Sequence, residues 1–127
     1  MGPDGMESLV REFVRSFNDR DLDAFTETLD PAVELHSMKG LVQGVDAARQ
    51  WADRAPGGAQ QTVVINQVET HGDEVLLGIR RDWHWDEDGS LAGSDEMAWL
   101  FRLRDGRITS WRPFADSAEA TAAFGAV

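Results

Sequence analysis

Residues 6 to 18 carry Leu9, Val10, Phe13, Val14 and Phe17 at steps of three and four, with Glu7, Arg11, Glu12 and Arg15 between them. That spacing predicts an amphipathic helix with one apolar face. DLDAFTETL follows as a second, short helix, with Asp21 as its N-cap and Leu22, Phe25 and Leu29 turned inward; Asp30-Pro31 stops it. Val33 to Met38 reads as a strand, and Gly40 and Gly44 flank a loop. VDAARQWADRA predicts a third helix with Val45, Ala48 and Trp51 or Ala52 inward, ended by Pro56-Gly57-Gly58.

Beyond residue 60 the period changes from helical to alternating. TVVINQVETHG, EVLLGIRRDWHWD, SDEMAWLFRLRDG and RITSWRPFAD are strand patterns rich in β-branched and aromatic residues. They are separated by His71-Gly72-Asp73, by DEDGSLAGS and by Asp105-Gly106, a strong hairpin signal. The alanine-rich DSAEATAAF either closes the structure as a final helical turn or frays. Three helices with one early strand, then an antiparallel meander, predict a two-layer α+β domain.

With 127 residues, a single domain spanning 1–127 is expected, large enough for its own core. The absence of cysteine excludes disulfides, thiolate metal sites and cysteine nucleophiles. Twelve Lys and Arg against 23 Asp and Glu give a net charge of -11, which repels nucleic-acid backbones and anionic membranes. MGPDGMESLV lacks a secretory n-region and h-region, and no apolar run is long enough to span a bilayer, so a cytoplasmic location is expected. Five tryptophans and six phenylalanines without a tyrosine suit either a core or an aromatic-lined pocket.

FNDRDLDAFTETLDPAVELH, GLVQGVDAARQWAD and FRLRDGRITSWRPFAD together resemble, in order, the opening, third helix and closing hairpin of the nuclear-transport-factor-2-like superfamily. That superfamily includes SnoaL-like polyketide cyclases, ketosteroid isomerases and limonene-epoxide-hydrolase-like enzymes. The resemblance implies a cone-shaped α+β barrel, three N-terminal helices on a curved, mainly antiparallel sheet, with a cavity for an apolar small molecule. It also implies a homodimer packed sheet on sheet. Function follows less closely, because this fold hosts enzymes, binding proteins and interaction modules alike. His36 falls where ketosteroid isomerases carry their general base, but Phe13 and Trp99 replace the tyrosine and acid of the oxyanion hole. Arg80-Arg81-Asp82 reproduces the epoxide-hydrolase pattern of arginine, any residue, aspartate, while Pro113 stands where its second aspartate belongs.

On their own chemistry, Arg80, Asp82 and His84 share one face of a strand, and Val75, Leu77, Ile79, Arg81, Trp83 and Trp85 the other. If the first face lines the cavity, Arg80 orients Asp82 as base, and His36 or His84 is the second proton-transfer group. If it faces outward, Arg80–Asp82 is a surface ion pair. Phe13, Phe17, Trp51, Met97, Trp99, Phe101 and Trp111 are the expected pocket walls. His36, His71 and His84 lack metal-ligand spacing, and no phosphate loop or nucleophile elbow is present, so neither metal nor organic cofactor is expected. The reading is a small cofactor-independent cyclase, isomerase or hydrolase acting on an apolar ring-containing molecule. Its alternative is a non-catalytic ligand-binding or dimerisation module of the same fold.

Overall fold

A computed structural model describes residues 2–37, 40–53, 59–85 and 87–124. Helix α1 (Pro3–Asp19) begins with proline in its first turn, where the missing N–H costs nothing, and so starts ahead of the apolar stripe. It ends on Arg20 in the left-handed region, φ 56°. Arg20 fixes that end with its side chain as well: the guanidinium donates to the Phe17 carbonyl at 2.8 Å and lies over the Phe17 ring. Helix α2 (Leu22–Glu27) carries the predicted cap, the Asp21 carboxylate accepting from the Ala24 amide at 3.2 Å.

Strand β1 (Leu29–Ser37) takes in Leu29, Asp30 and Pro31, which the sequence pattern assigns to the end of the helix. The reason lies across the sheet, where Leu29 pairs with Ile108 of the last strand. The expected loop between Gly40 and Gly44 is instead a short edge strand, β2 (Gly40–Gln43), paired antiparallel with β1. Helix α3 (Val45–Asp53) follows; the predicted stop at Pro56-Gly57-Gly58 lies outside the described residues, as does Met38.

The four-strand meander forms, as β3 (Ala59–His71), β4 (Glu74–Trp85), β5 (Leu91–Arg104) and β6 (Arg107–Phe114). Strand β3 starts earlier than its sequence pattern, and β5 takes in Leu91, Ala92 and Gly93 of the expected connection, where Leu91 pairs with His84 and Gly93 with Trp83. Asp105 and Gly106 both take positive φ, 53° and 76°, as the tight β5–β6 hairpin requires. The sheet has six strands in the order β2-β1-β6-β5-β4-β3, with β1–β6 its one parallel pairing. It is curved and unclosed. Breaks in register in β3 (Ile65/Gln67), between Trp83 and His84 of β4 and in β5–β6 (Arg102/Leu103) bend it locally.

Strand alternation then decides which face is roofed. Val75, Leu77 and Ile79 of β4, Trp99, Phe101 and Leu103 of β5, and Ile108 and Trp111 of β6 join one buried cluster with Val10, Phe13, Phe17 and Phe25 from the helices. The inner face is therefore the one carrying Val75-Leu77-Ile79. The outer face has a smaller cluster, Leu76, Ala98, Leu100 and Ala120. Helix α4 (Ser117–Ala123), capped by Asp116, lies on that outer face, so the C-terminal segment does not close the cone. No helix among the described residues is long and apolar enough to cross a membrane.

Candidate functional site

Seven side chains expected to line a pocket, Phe13, Phe17, Trp51, Met97, Trp99, Phe101 and Trp111, belong to the inner-face cluster. Helix α1 supplies Phe13 and Phe17 one turn apart, and α3 brings Trp51 across to β6. Phe13 meets Phe25 at 4.8 Å and Phe101 edge-on at 5.0 Å. Trp51 packs on Trp111 at 5.0 Å and Phe17 at 5.6 Å, and Trp111 meets Trp99 edge-on at 5.2 Å. Phe13 and Phe101 are completely buried, whereas Trp51 and Met97 are only half-buried.

Toward the β4–β5 hairpin the inner face becomes polar. Arg81 and Asp95 are register partners on the inner face and form a two-pronged ion pair, with the Arg81 Nε donating to Asp95 at 2.8 Å. The guanidinium also lies 5.3 Å from the centre of the Trp83 ring. The hydrogen bond from Arg81 is the main cause that holds the Asp95 carboxyl below the usual carboxylate range. Opposite Arg81, Val63 of β3 is clamped by Asn18 of α1, whose amide donates to the Val63 carbonyl and accepts from its N–H, both at 2.8 Å. Asp95 was not singled out from sequence. The available signal was alternation: it sits two residues from Met97 and four from Trp99, on their face.

The proposed acid–base residues go elsewhere. Arg80, Asp82 and His84 do share one face, but it is the outer one, away from the helices. Arg80 donates two hydrogen bonds to Asp82, at 3.0 and 3.1 Å, and Ser94 donates a third at 2.8 Å. The Arg80 bonds first and the Ser94 bond second keep Asp82 more acidic than an ordinary aspartate. His84 Nδ1 lies 3.2 Å from the Gly89 carbonyl, within the hairpin tip. His36 does not approach Asp82: in register it stands level with Leu76, three strands over and six residues along, some 20 Å along the strand at ~3.3 Å per residue. Its carboxylate neighbour is Glu34, at 3.8 Å.

The outer face also has a cavity of about 450 Å³ lined by Glu34, His36, Glu74, Ser110, Arg102 and Arg112 among others. Its walls are charged, and Glu74, though only 3% exposed, faces Arg102 at 3.5 Å. No cluster of three or more His, Asp or Glu side chains among the described residues is placed to hold a metal ion.

A helical roof over the inner face of an open, bent sheet defines the nuclear-transport-factor-2-like class. Within that class the chain belongs to the SnoaL-like domain family, whose sequence profile matches residues 10–111. A candidate polyketide cyclase from Sinorhizobium meliloti is similar in structure, with a TM-score of 0.71 at 23% identity over 84% of this chain and 93% of that one. An LEH-like epoxide hydrolase from M. tuberculosis gives 0.74 at 18% identity, covering 91% of this chain and 85% of the other. TerC, co-crystallised with polyporic acid, gives 0.75 at 16% identity over 92% and 95%. At such identities the likeness speaks for the fold. No curated protein sequence matches the chain significantly.

Proposed function

We propose that the chain binds an apolar, ring-containing small molecule against the aromatic wall of its inner face. One observation carries this reading: Trp51, half-buried, stands over a continuous set of rings running through Phe17, Trp111 and Trp99. Such a wall offers a flat ligand stacking surface and removal of apolar area from water. Neighbours in the same fold include an epoxide hydrolase and a protein crystallised with polyporic acid, which makes a small-molecule role the natural extension.

Acid–base chemistry of cyclase, isomerase or hydrolase type is a second reading, favoured by the Arg81–Asp95 pair on the same face. Asp95, held ionised, would be the proton acceptor and Arg81 its positioning partner; Arg80 and Asp82 would then serve the fold of the outer face. The protein would act in the cytoplasm as a homodimer. The charged outer groove supports the pairing, since acidic Glu34 and basic Arg112 in one patch suit a two-fold, self-complementary contact.

Quenching of tryptophan fluorescence by 1-tetralone and tetralin tests the binding reading. Saturable quenching by either is expected, with Trp51→Ala weakening it about tenfold, the scale of a lost aromatic stack plus its area. Absence of saturation for both, or equal weakening by Arg80→Ala on the outer face, would overturn it.

A further inference from the structure

The charged groove of the outer face lies where the sheet is irregular. Thr109 is an extra residue in β6, since Arg102 pairs with Ser110 but Leu103 pairs with Ile108. Its hydroxyl donates to the Arg102 carbonyl at 3.0 Å, and Thr109 and Ser110 both line the groove. Such bulges bend a strand and re-aim its side chains, often beside a site. On the other flank Glu34 of β1 stands opposite Ser110 and Leu35 opposite Trp111, which puts His36 level with Arg112. Glu34, His36, Ser110 and Arg112 thus mark the corners of a patch ~5 Å across the strands and ~7 Å along them. Ala123 of α4 closes one side of the hollow, whose volume is about 450 Å³. Within it Arg102 answers Glu74 at 3.5 Å, but the four corners are poorly matched. The Arg112 guanidinium lies 5.7 Å from the Phe114 ring and has no carboxylate partner among the described residues. The Ser110 hydroxyl has no hydrogen-bond partner among them either. Glu34 and His36 are 3.8 Å apart, too far for a hydrogen bond, and their side chains are 43% and 40% exposed.

We infer that this groove is a second binding site, for a small zwitterion carrying a carboxylate and an ammonium group. Arg112 and Ser110 donate to the carboxylate, and Glu34 accepts from the ammonium. Charge balance selects this class. Two carboxylates, Glu34 and Glu74, share the groove with two guanidiniums, Arg102 and Arg112, so its walls favour neither sign. The chain around it carries a net charge of -11, a field that repels a simple anion before it reaches Arg112. A simple cation at Glu34 leaves Arg112 unanswered and close by. A molecule with both charges is neutral overall and meets each group locally. The site is on the opposite side of the sheet from the aromatic wall and does not depend on the binding reading above. A second copy resting on the rim and a small molecule in the hollow do not exclude each other. The competing account is a hydrated charged face, in which water serves each of these groups.

Three four-carbon probes separate these accounts: 4-aminobutanoate has both charged ends, whereas butanoate and butylammonium have one each. Titration calorimetry on the wild-type protein should show 4-aminobutanoate binding about tenfold tighter than either single-charge probe, the scale of one hydrogen bond to a charged group. Arg112→Gln should weaken 4-aminobutanoate about tenfold, and Glu34→Gln should bring its affinity down to that of butanoate. Arg104→Gln, at a side chain 82% exposed and outside the groove, should leave it unchanged. Should a variant fail to fold, the ranking of the three probes on the wild type decides alone. Equal affinity for 4-aminobutanoate and butanoate would refute the site, and so would an affinity that neither Arg112→Gln nor Glu34→Gln alters. Failure of all three probes to bind at millimolar concentration would leave the hydrated face as the account of the groove. None of these results touches the aromatic wall, which the tetralone titration tests separately.

Discussion

The two faces of the sheet are made from the same four long strands, yet they solve different problems. Inward, alternate positions carry Val75, Leu77, Ile79, Trp99 and Phe101, all 2% exposed or less, and three helices lie across them. Outward, the intervening positions carry Leu76, Gly78, Arg80 and Asp82, and one two-turn helix covers only the part around Leu100. Part of the charge on the outer face is taken up in close pairs, Arg80–Asp82 and Glu74–Arg102. On the inner face ionic groups are confined to the hairpin end. The difference shows that apolar patterning chooses the roofed side, while ionisable groups are left to the outer face and the hairpin end.

The sharpest way to break this comparison is to cut a side chain from each core. Phe13→Ala removes a fully buried ring that touches Phe25, Phe101 and Trp99, and should lower unfolding free energy by about 3–5 kcal/mol. Leu100→Ala, in the small outer cluster, should cost about 2 kcal/mol, the low end of its class, because fewer neighbours surround it. Urea denaturation of both variants measures the contrast. Equal losses would mean that the outer face holds the fold as firmly as the inner.

A smaller effect is expected where the roof is fastened to the sheet. Asn18→Ala deletes both bonds to the Val63 backbone and leaves a part-buried carbonyl and N–H without those partners. The expected cost is roughly 1–3 kcal/mol. Amide exchange localises it: Val63 and its neighbours in β3 should lose protection while β6 keeps it. Uniform loss along the whole sheet would show that Asn18 does not act as a local clamp.

The sequence made the elements legible and left their sides ambiguous. Long alternating runs and the Asp105-Gly106 turn announced the meander, and Asp21 announced its helix. β2 is only four residues long, too short for a period to register, and Gly40 and Gly44 at its ends read as loop signals. The faces of β4 were the harder matter. Both carry apolar residues, and a motif resemblance at Arg80-Arg81-Asp82 drew attention to the even positions. Val75, Leu77, Ile79 and Trp83 against Leu76 and Gly78 already favoured the odd positions as the packed side. His36 could not be placed by strand pattern alone, since its distance from β4 depends on β1 pairing with β6, a contact between the two ends of the chain. That the indole N–H groups of Trp99 and Trp111 lack partners among the described residues was invisible for a related reason: satisfaction of a donor is a property of neighbours in space.

The smallest effect bears on what the Arg81–Asp95 pair is for. Both partners are partly exposed, Asp95 47% and Arg81 21%, so solvent screening limits the pair to about 0–1 kcal/mol. Because Arg81 lowers the Asp95 pKa in the folded state, the pair's contribution is present above the ordinary aspartate value of about 3.9 and fades as pH falls through the lower folded value. Asp95→Asn should therefore be slightly destabilised at pH 7, with the deficit shrinking as pH falls below the ordinary aspartate range. Asp82→Asn should follow the same course, as Arg80 and Ser94 lower that carboxyl too. Stability cannot distinguish the two aspartates, but a ligand can. On the inner face, loss of the Asp95 charge alters the electrostatics beside Trp83 and Met97, and the affinity for 1-tetralone should change measurably. On the outer face, Asp82→Asn should leave that affinity untouched. A ligand response to Asp82→Asn equal to that of Asp95→Asn would mean that the face, as assigned by strand alternation, does not determine which groups a bound molecule senses.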